Sequence, residues 1–307
     1  MNQNSSAAAS LLPDPAQQTY PVSALYVLAT PIGNVCDITL RALHLLSIAD
    51  AVACEDTRNT SQLLQRYGMN RPLLAAHQHN EREVAAKIVE RLQAGQRIAL
   101  VSDAGTPAVS DPGARIVDAV RAAGLRVVPL PGPSAAVTAL SASGLLDEGF
   151  QFVGFLPSKA RQRESALQAL VAAPATLVFY EAPHRIVETI DAMLQVFGPQ
   201  RRVVLARELT KLFEDIHRCE LGQAAAWLQE DANRQRGEFV VLLEGAPAGE
   251  DDGAQAEAER VLRILLQELP LKQAASLAAQ ITGHKKNALY ERALQLKDGV
   301  RAPDGQP

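Results

Sequence analysis

Three short segments hold the residue types that a backbone-lined ligand cleft needs: Thr30-Pro31-Ile32-Gly33-Asn34, Ser102 through Gly113, and Pro131-Gly132-Pro133-Ser134. Glycine lets the main chain approach a ligand closely, although each segment taken alone can be nothing more than a tight turn. No lysine follows the glycines as in a Walker phosphate cradle, and none of the segments has the glycine spacing of a dinucleotide fingerprint. A ligand without phosphates, held by backbone groups and one carboxylate, suits them better than ATP or a nicotinamide. Asp103 can accept from an amine or a ribose hydroxyl, or can serve only as a turn or helix cap. Three charged clusters could manage a proton: Glu55-Asp56-Thr57-Arg58, Glu181 with His184 and Arg185, and Arg207-Glu208 with Lys211. Within them, Glu55 with Arg58 or Glu181 with Arg185 can equally satisfy each other across one helical turn. His77 and His79 lack a plausible third ligand, so no metal site is expected.

Each loop and cluster directly follows a short apolar run, and these runs are Ala24–Ala29, Ala51–Cys54, Arg97–Val101, Arg126–Leu130, Phe150–Leu156, Ala175–Tyr180, Arg202–Ala206 and Phe239–Leu243. Continuous apolar runs, separated by helical patterns, suit strands buried on both faces of largely parallel sheets, so the fold class is α/β. Asp37 is expected to cap a helix with Ile38, Ala42, Leu45, Leu46 and Ala49 on one face. In open α/β sheets ligands bind beyond the carboxyl ends of the strands, so three loops in that position suggest one shared cleft. A Gly-bounded acidic turn at Gly144 to Gly149 divides residues 24–145 from residues 146–245, two α/β domains. Residues 246–256 read as an acidic linker. Residues 257–297 show only helical periodicity, broken at Thr282-Gly283, and read as a small helix-turn-helix-like domain. Residues 1–23 and 298–307 are expected to be tails.

The 307 residues are 47% apolar, enough for two lobes of ordinary size. A formal charge of −4 excludes bulk attraction to nucleic acid but permits a local basic patch. Cys36, Cys54 and Cys219 are far apart, without disulfide or metal spacing, and fit a reducing compartment. No charged signal-peptide start precedes Arg41, and no uncharged apolar run reaches the roughly 18 residues of a spanning helix. A soluble cytoplasmic protein without a membrane partner is the expectation.

Six motifs in order, Leu25 to Asn34, Glu55-Asp56-Thr57-Arg58, Ser102 to Gly113, Pro131 to Ala135, Phe152-Val153-Gly154-Phe155-Leu156-Pro157 and Tyr180-Glu181-Ala182-Pro183-His184-Arg185, closely resemble the tetrapyrrole methylase superfamily. Within it they are similar to a branch that methylates ribosomal RNA. The resemblance runs from about Leu25 to the end of the helical domain and implies two α/β/α domains of the class III methyltransferase type. It also implies a homodimer with S-adenosylmethionine between the domains, and 2′-O-methylation of a cytidine ribose in the decoding centre of 16S rRNA. Carried over by motif, the cofactor contacts are Pro31, Ile32, Gly33, Asp103, Gly105, Thr106, Ala108, Ser134 and Ala135, with Leu156, Tyr180 and Val240 from the second domain.

A ribose hydroxyl is a poor nucleophile when neutral, so a base or cation beside it helps. Glu181, Arg207 and Glu55, one from each charged cluster, are the candidates, Glu181 foremost because the apolar strand before it could raise its proton affinity. For contact with 16S rRNA or the small ribosomal subunit, Lys159, Arg161 and Arg163 offer three cations within five positions, and Lys285 with Lys286 two more. Phosphate contact and a solvated helix start are both open for these runs. Few aromatics interleave with them, which favours shape and backbone recognition over base stacking. Two rivals are a methyltransferase acting on a tetrapyrrole or other small metabolite, and a noncatalytic RNA-binding assembly factor.

Overall fold

A computed structural model describes residues 13–77, 80–146, 149–246 and 252–298, and the chain divides into two compact units after Gly245. The first unit contains two five-stranded sheets. In one, β1 (Ala24–Leu28), β2 (Ala51–Cys54), β3 (Leu73–Ala75), β4 (Arg97–Leu100) and β5 (Arg126–Leu130) are all parallel, in the order β3-β2-β4-β1-β5. Alternate residues of these apolar strands face opposite sides, and helices cover both. On one side, α1 (Leu40–Ile48) and α2 (Thr57–Arg66) pack Leu45, Leu46 and Leu64 against Tyr26, Leu28 and Val52. On the other, α3 (Glu81–Gln93) and α4 (Ala114–Ala122) pack Ile88, Leu92 and Ile116 against Leu25, Ala53 and Ile98. Burial of each such Leu or Ile side chain contributes about 1.5–3 kcal/mol.

The cap of α1 is Thr39, whose hydroxyl accepts from Ala42 N at 3.1 Å. Asp37, expected in that role, lies two residues too early and belongs to the 3₁₀ turn Val35–Asp37. The expected amino-terminal tail is partly packed. Its first twelve residues lie outside the described ones, but Tyr20 is buried, its ring lies against that of His44 at 4.9 Å, and its carbonyl is held by Arg97 Nε at 3.0 Å.

The second sheet contains β6 (Phe150–Phe155), β7 (Thr176–Glu181), β8 (Arg202–Arg207), β9 (Asp215–Glu220) and β10 (Phe239–Leu243), in the order β6-β7-β10-β8-β9. It departs from the parallel expectation. Only β6 and β7 run parallel, while β10 is antiparallel to β7 and β8, and β9 is antiparallel to β8. Continuous apolar strands report cover on both faces, and this sheet has it whatever the strand direction. One face receives α6 (Ala160–Gln168), α7 (Ile186–Phe197) and α8 (Leu221–Glu230). The other receives α5 (Ala135–Ser143), which leaves the first sheet after β5 and lays Ala136 and Ala139 on Val178, Val204 and Val240. Because β10 is reversed, its first residue Phe239 pairs with both Glu181 and Arg207, the last residues of β7 and β8. The start of one strand and the ends of two others thus share an edge, which faces the loops of the first sheet.

The second unit, described by itself, is three helices: α9 (Asp252–Glu268), α10 (Leu271–Thr282) and α11 (Lys286–Asp298). Their core is small, with Leu262, Ala274, Ala278 and Leu289 at its centre, and Glu259 ties α9 to α11 through Arg292 at 2.7 Å. Gly283, at φ +74°, ends α10 in the left-handed conformation that glycine adopts without strain. The first helix begins at Asp252, inside the expected linker, of which residues 247–251 lie outside the described ones, as do residues 299–307 of the expected tail. Among the described residues no helix is long and apolar enough to cross a membrane.

Candidate functional site

The three glycine-bearing loops leave the carboxyl ends of β1, β4 and β5, and hydrogen bonds stitch them together. Thr30 and Gly105 exchange backbone bonds of 2.9 and 3.0 Å, and Thr30 Oγ1 donates to the Ser102 carbonyl at 3.1 Å. Thr106 Oγ1 donates to Pro133 O at 3.0 Å, joining the second loop to the third. The far end of the second loop is anchored by Glu81, a buried carboxylate on α3 that accepts from Gly113 N at 2.8 Å and Arg115 N at 3.1 Å. Glu81 caps α4 from another helix, which satisfies amide donors that would otherwise lack partners. Within this loop Ala108 and Ser110 take φ values of 65° and 64°, unusual for non-glycine residues and a mark of a tightly held backbone.

Between these loops and the reversed-strand edge lies a cavity of about 400 Å³, a size suited to a small organic ligand. The first lobe supplies Ile32, Gly105, Thr106, Ser134 and Ala135, together with the second-loop residues from Val109 to Asp111. The second lobe supplies Phe155, Tyr180, Leu209, Phe239 and Val240. Asp103, Asp111, Glu181 and Glu238 are among the lining residues, and among the described lining residues none is Lys, Arg or His. Tyr180 joins the lobes: its hydroxyl accepts from Ala136 N at 3.3 Å, and its ring meets Phe152 and Phe155 edge-on at 5.0 and 5.7 Å. Burial pushes the Tyr180 hydroxyl above its ordinary pKa.

Of the cofactor contacts carried over by motif, Ile32, Asp103, Gly105, Thr106, Ser134, Ala135, Tyr180 and Val240 line this cavity. Pro31, Gly33, Ala108 and Leu156 do not. Leu156 is buried in the core of the second lobe. Gly33 is a packing glycine: a Cβ there would come within 2.6 Å of Lys211 Cγ and 2.7 Å of Thr210 Oγ1. The Asp103 carboxylate turns toward the loop after β2, accepting from Asp56 N at 3.2 Å and Asn59 Nδ2 at 2.8 Å.

The expected catalytic trio is not brought together as a proton-handling group. Glu181 has no exposed side-chain surface: it accepts from Thr189 Oγ1 at 2.6 Å and Ala182 N at 2.8 Å, and pairs with Arg185 at 3.5 Å. Those contacts make it a strut for the start of α7 rather than a free base. Arg207 donates to the carbonyls of Asn233, Arg236 and Phe213 at 3.1–3.3 Å, so its guanidinium clamps two loops. Glu55 does not line the cavity, although burial, and then the charge of Asp103, pushes its carboxyl above the usual range. Arg58 pairs with Asp56 at 3.1 Å instead of Glu55, its expected partner. Asp111, embedded in the long second motif but never singled out, is more perturbed: burial and the charges of Glu55 and Asp103 push it up to about 6.

Lys159 and Arg161 are exposed at the start of α6, as Lys285 and Lys286 are around the start of α11. Arg163 is not a free cation. Its side chain is 6% exposed, bonded to Ser158 O and paired with Glu188 at 3.2 Å. Helical geometry turns its position inward while Lys159 and Arg161 face out. His77 lies close enough to Glu55 to favour its charged form, and His79 lies outside the described residues.

Comparison with known proteins fits this geometry. The family described as Tetrapyrrole (Corrin/Porphyrin) Methylases matches residues 24–225, and the RsmI C-terminal HTH domain matches residues 252–297. Proteins named Ribosomal RNA small subunit methyltransferase I from Escherichia coli O157:H7 and Pseudomonas aeruginosa are each 54% identical, covering 88% of this chain and 94% and 96% of their own. One from Mesorhizobium japonicum is 50% identical over 95% of this chain and 97% of its own. Among solved structures, a uroporphyrin-III-C-methyltransferase from Thermus thermophilus has a TM-score of 0.53 at 19% identity, covering 72% of this chain and 94% of its own. A cobalt precorrin-4 methyltransferase has a TM-score of 0.55 at 17% identity, covering 76% and 98%, and both likenesses concern the fold. The chain belongs to the tetrapyrrole methylase family and, within it, to the ribosomal RNA small subunit methyltransferase I group.

Proposed function

We propose that this chain is an S-adenosylmethionine-dependent methyltransferase acting on 16S rRNA of the small ribosomal subunit, and that it methylates the 2′ oxygen of a cytidine ribose in the decoding centre. The observation that carries the cofactor is the cavity itself, bounded by the three cross-bonded loops and the reversed-strand edge, with no Lys, Arg or His among its described lining residues. Such a wall offers a polyphosphate no counter-charge and is compatible with a sulfonium. The apolar surfaces of Ile32, Phe155 and Val240 suit an adenosine, and at Gly105, φ +77°, the nearest neighbour of a Cβ would be Ile32 Cγ2 at 3.5 Å. The residues present therefore fit the donor. When bound, it supplies an electrophilic methyl group on sulfur.

The protein contributes position. Asp103, Thr106 and Ser134 are the proposed polar contacts to the donor, Ile32, Gly105, Ala135, Tyr180 and Val240 its close packing. Holding reactants in line supplies several kcal/mol of the barrier, and the cross-bonded loops fix that alignment before substrate arrives. Lys159, Arg161, Lys285 and Lys286 are the proposed phosphate contacts. The protein is proposed to work as a cytoplasmic homodimer, a reading supported by family resemblance, with sedimentation as its check.

Purified protein with methyl-labelled donor is offered unmethylated small subunits, naked 16S rRNA and a uroporphyrinoid. Label in 2′-O-methylcytidine after RNA digestion is the expected result. Label on the pigment alone, or the lack of any calorimetric binding of donor, would overturn the proposal.

A further inference from the structure

We propose that Asp111 is the catalytic base of the transfer, taking the proton of the attacking RNA hydroxyl; this rests on the ribose-methylation reading above and deepens it. Four acidic residues line the cavity, and three are committed elsewhere. Glu181 is bound by Thr189, Ala182 and Arg185, Asp103 by Asp56 N and Asn59, and Glu238 by Lys211 Nζ at 2.8 Å. The groups acting on Asp111 are Glu55 just after β2, Asp103 after β4 and the Ser102 hydroxyl, while Tyr180 on β7 feels its charge. No cation stands among them, so its lone pairs are not tied up in an ion pair.

Its position is set from both lobes. Ser110 beside it holds φ 64°, and Gly154, at the irregular step of β6, comes so near that a Cβ there would lie 2.8 Å from Ser110 Oγ. Asp111 therefore sits where the first lobe's loop meets the second lobe's strand, on the wall of the cavity. Partial withdrawal from water, then repulsion by Glu55 and Asp103, pushes its pKa up to about 6. A carboxylate so placed binds a proton more readily than an ordinary one yet is mostly ionised at neutral pH, as a general base must be.

In the step, a lone pair of the ribose oxygen forms the new C–O bond as the S–C bond breaks. The S–C pair returns to sulfur, leaving a neutral thioether. The hydroxyl proton passes to an Asp111 carboxylate oxygen and then to water. No oxidant, reductant or metal is required for the balance.

The test uses the full chain, unmethylated small subunits and saturating donor in single-turnover assays across pH. In wild-type protein the rate rises with pH through a limb centred near the Asp111 value of about 6. Asp111→Asn lowers the rate by about 100- to 10,000-fold, removes that limb, and leaves donor affinity by calorimetry within about threefold, inside the spread expected of a residue that does not anchor the ligand. Glu55→Gln, which removes a repelling charge, moves the limb to lower pH without abolishing it. A wild-type profile flat through this range, or an Asp111→Asn protein that keeps its rate or its limb, overturns the assignment, and the wild-type profile decides even where the variant fails to fold. Methylated ribose from the wild type together with a fully active Asp111→Asn sinks only the base. Methyl on a nucleobase, or on no RNA at all, sinks the functional reading and the base with it.

Discussion

The ionised Asp111 side chain should cost the folded protein stability, and replacing it by asparagine should recover it. Its pKa rises from 3.8 to about 6, because burial and then the neighbouring carboxylates penalise the charge. That rise, at about 1.4 kcal/mol for each tenfold change in proton affinity, sets an upper bound of about 3 kcal/mol. Asp111 is only partly buried, so solvent screening reduces the expected value to about 1–2 kcal/mol. The folded state binds this proton more tightly than the unfolded chain. Stability from this group is therefore full below 3.8 and is lost as pH rises through about 6. Asp111→Asn should exceed the wild type by about 1–2 kcal/mol at about pH 8, and the gap should close toward about pH 4. Trp227, the chain's one tryptophan, lies on α8 in the same unit, so its fluorescence during urea unfolding reads the relevant transition. A variant no more stable than wild type at the higher pH, or a gap independent of pH, would refute the reasoning.

Other outcomes follow from particular contacts. Glu81→Ala deprives Gly113 N and Arg115 N of their acceptor and should cost about 1–3 kcal/mol, with weaker donor binding by calorimetry because the second loop loses its anchor. Gly33→Ala drives a Cβ into Lys211 and Thr210; it should raise the donor dissociation constant while circular dichroism stays native. Lys159→Ala and Arg161→Ala should each weaken RNA binding and lower its salt slope by about one, whereas Arg163→Ala should lower the unfolding midpoint and leave that slope alone.

Much of the scaffold could be read from apolar runs because eight of the ten strands coincide with one, and six of these are mostly buried. The exceptions are physical. β9, Asp215–Glu220, is an edge strand that carries Asp, His, Arg and Glu, of which Arg218 and Glu220 are exposed, so it lacks the apolar signature, and β3 is three residues long. Strand direction in the second sheet is invisible to composition, since two-sided cover looks the same either way. At the site, loop chemistry was legible in Gly105, Thr106 and Ser134, but partnership was not. Glu188 is 25 residues from Arg163, and Asn233 is 26 from Arg207, so nothing local reveals that either cation is occupied. Glu181 was partly legible: Arg185 is one turn away, but the decisive short bond to Thr189 needs the helix to be in place. Asp111 depended on the positive φ of its neighbours, which an alanine and a serine do not advertise.

Helix α5 belongs by chain connection to the first sheet and by packing to the second, with Ala136 and Ala139 seated on Val178, Val204 and Val240. The two halves consequently share one cooperative block and cannot melt independently without stripping that helix of its hydrophobic seat. A chain cut between Gly144 and Gly149 should still migrate as a single particle under native conditions and come apart only when the block itself unfolds.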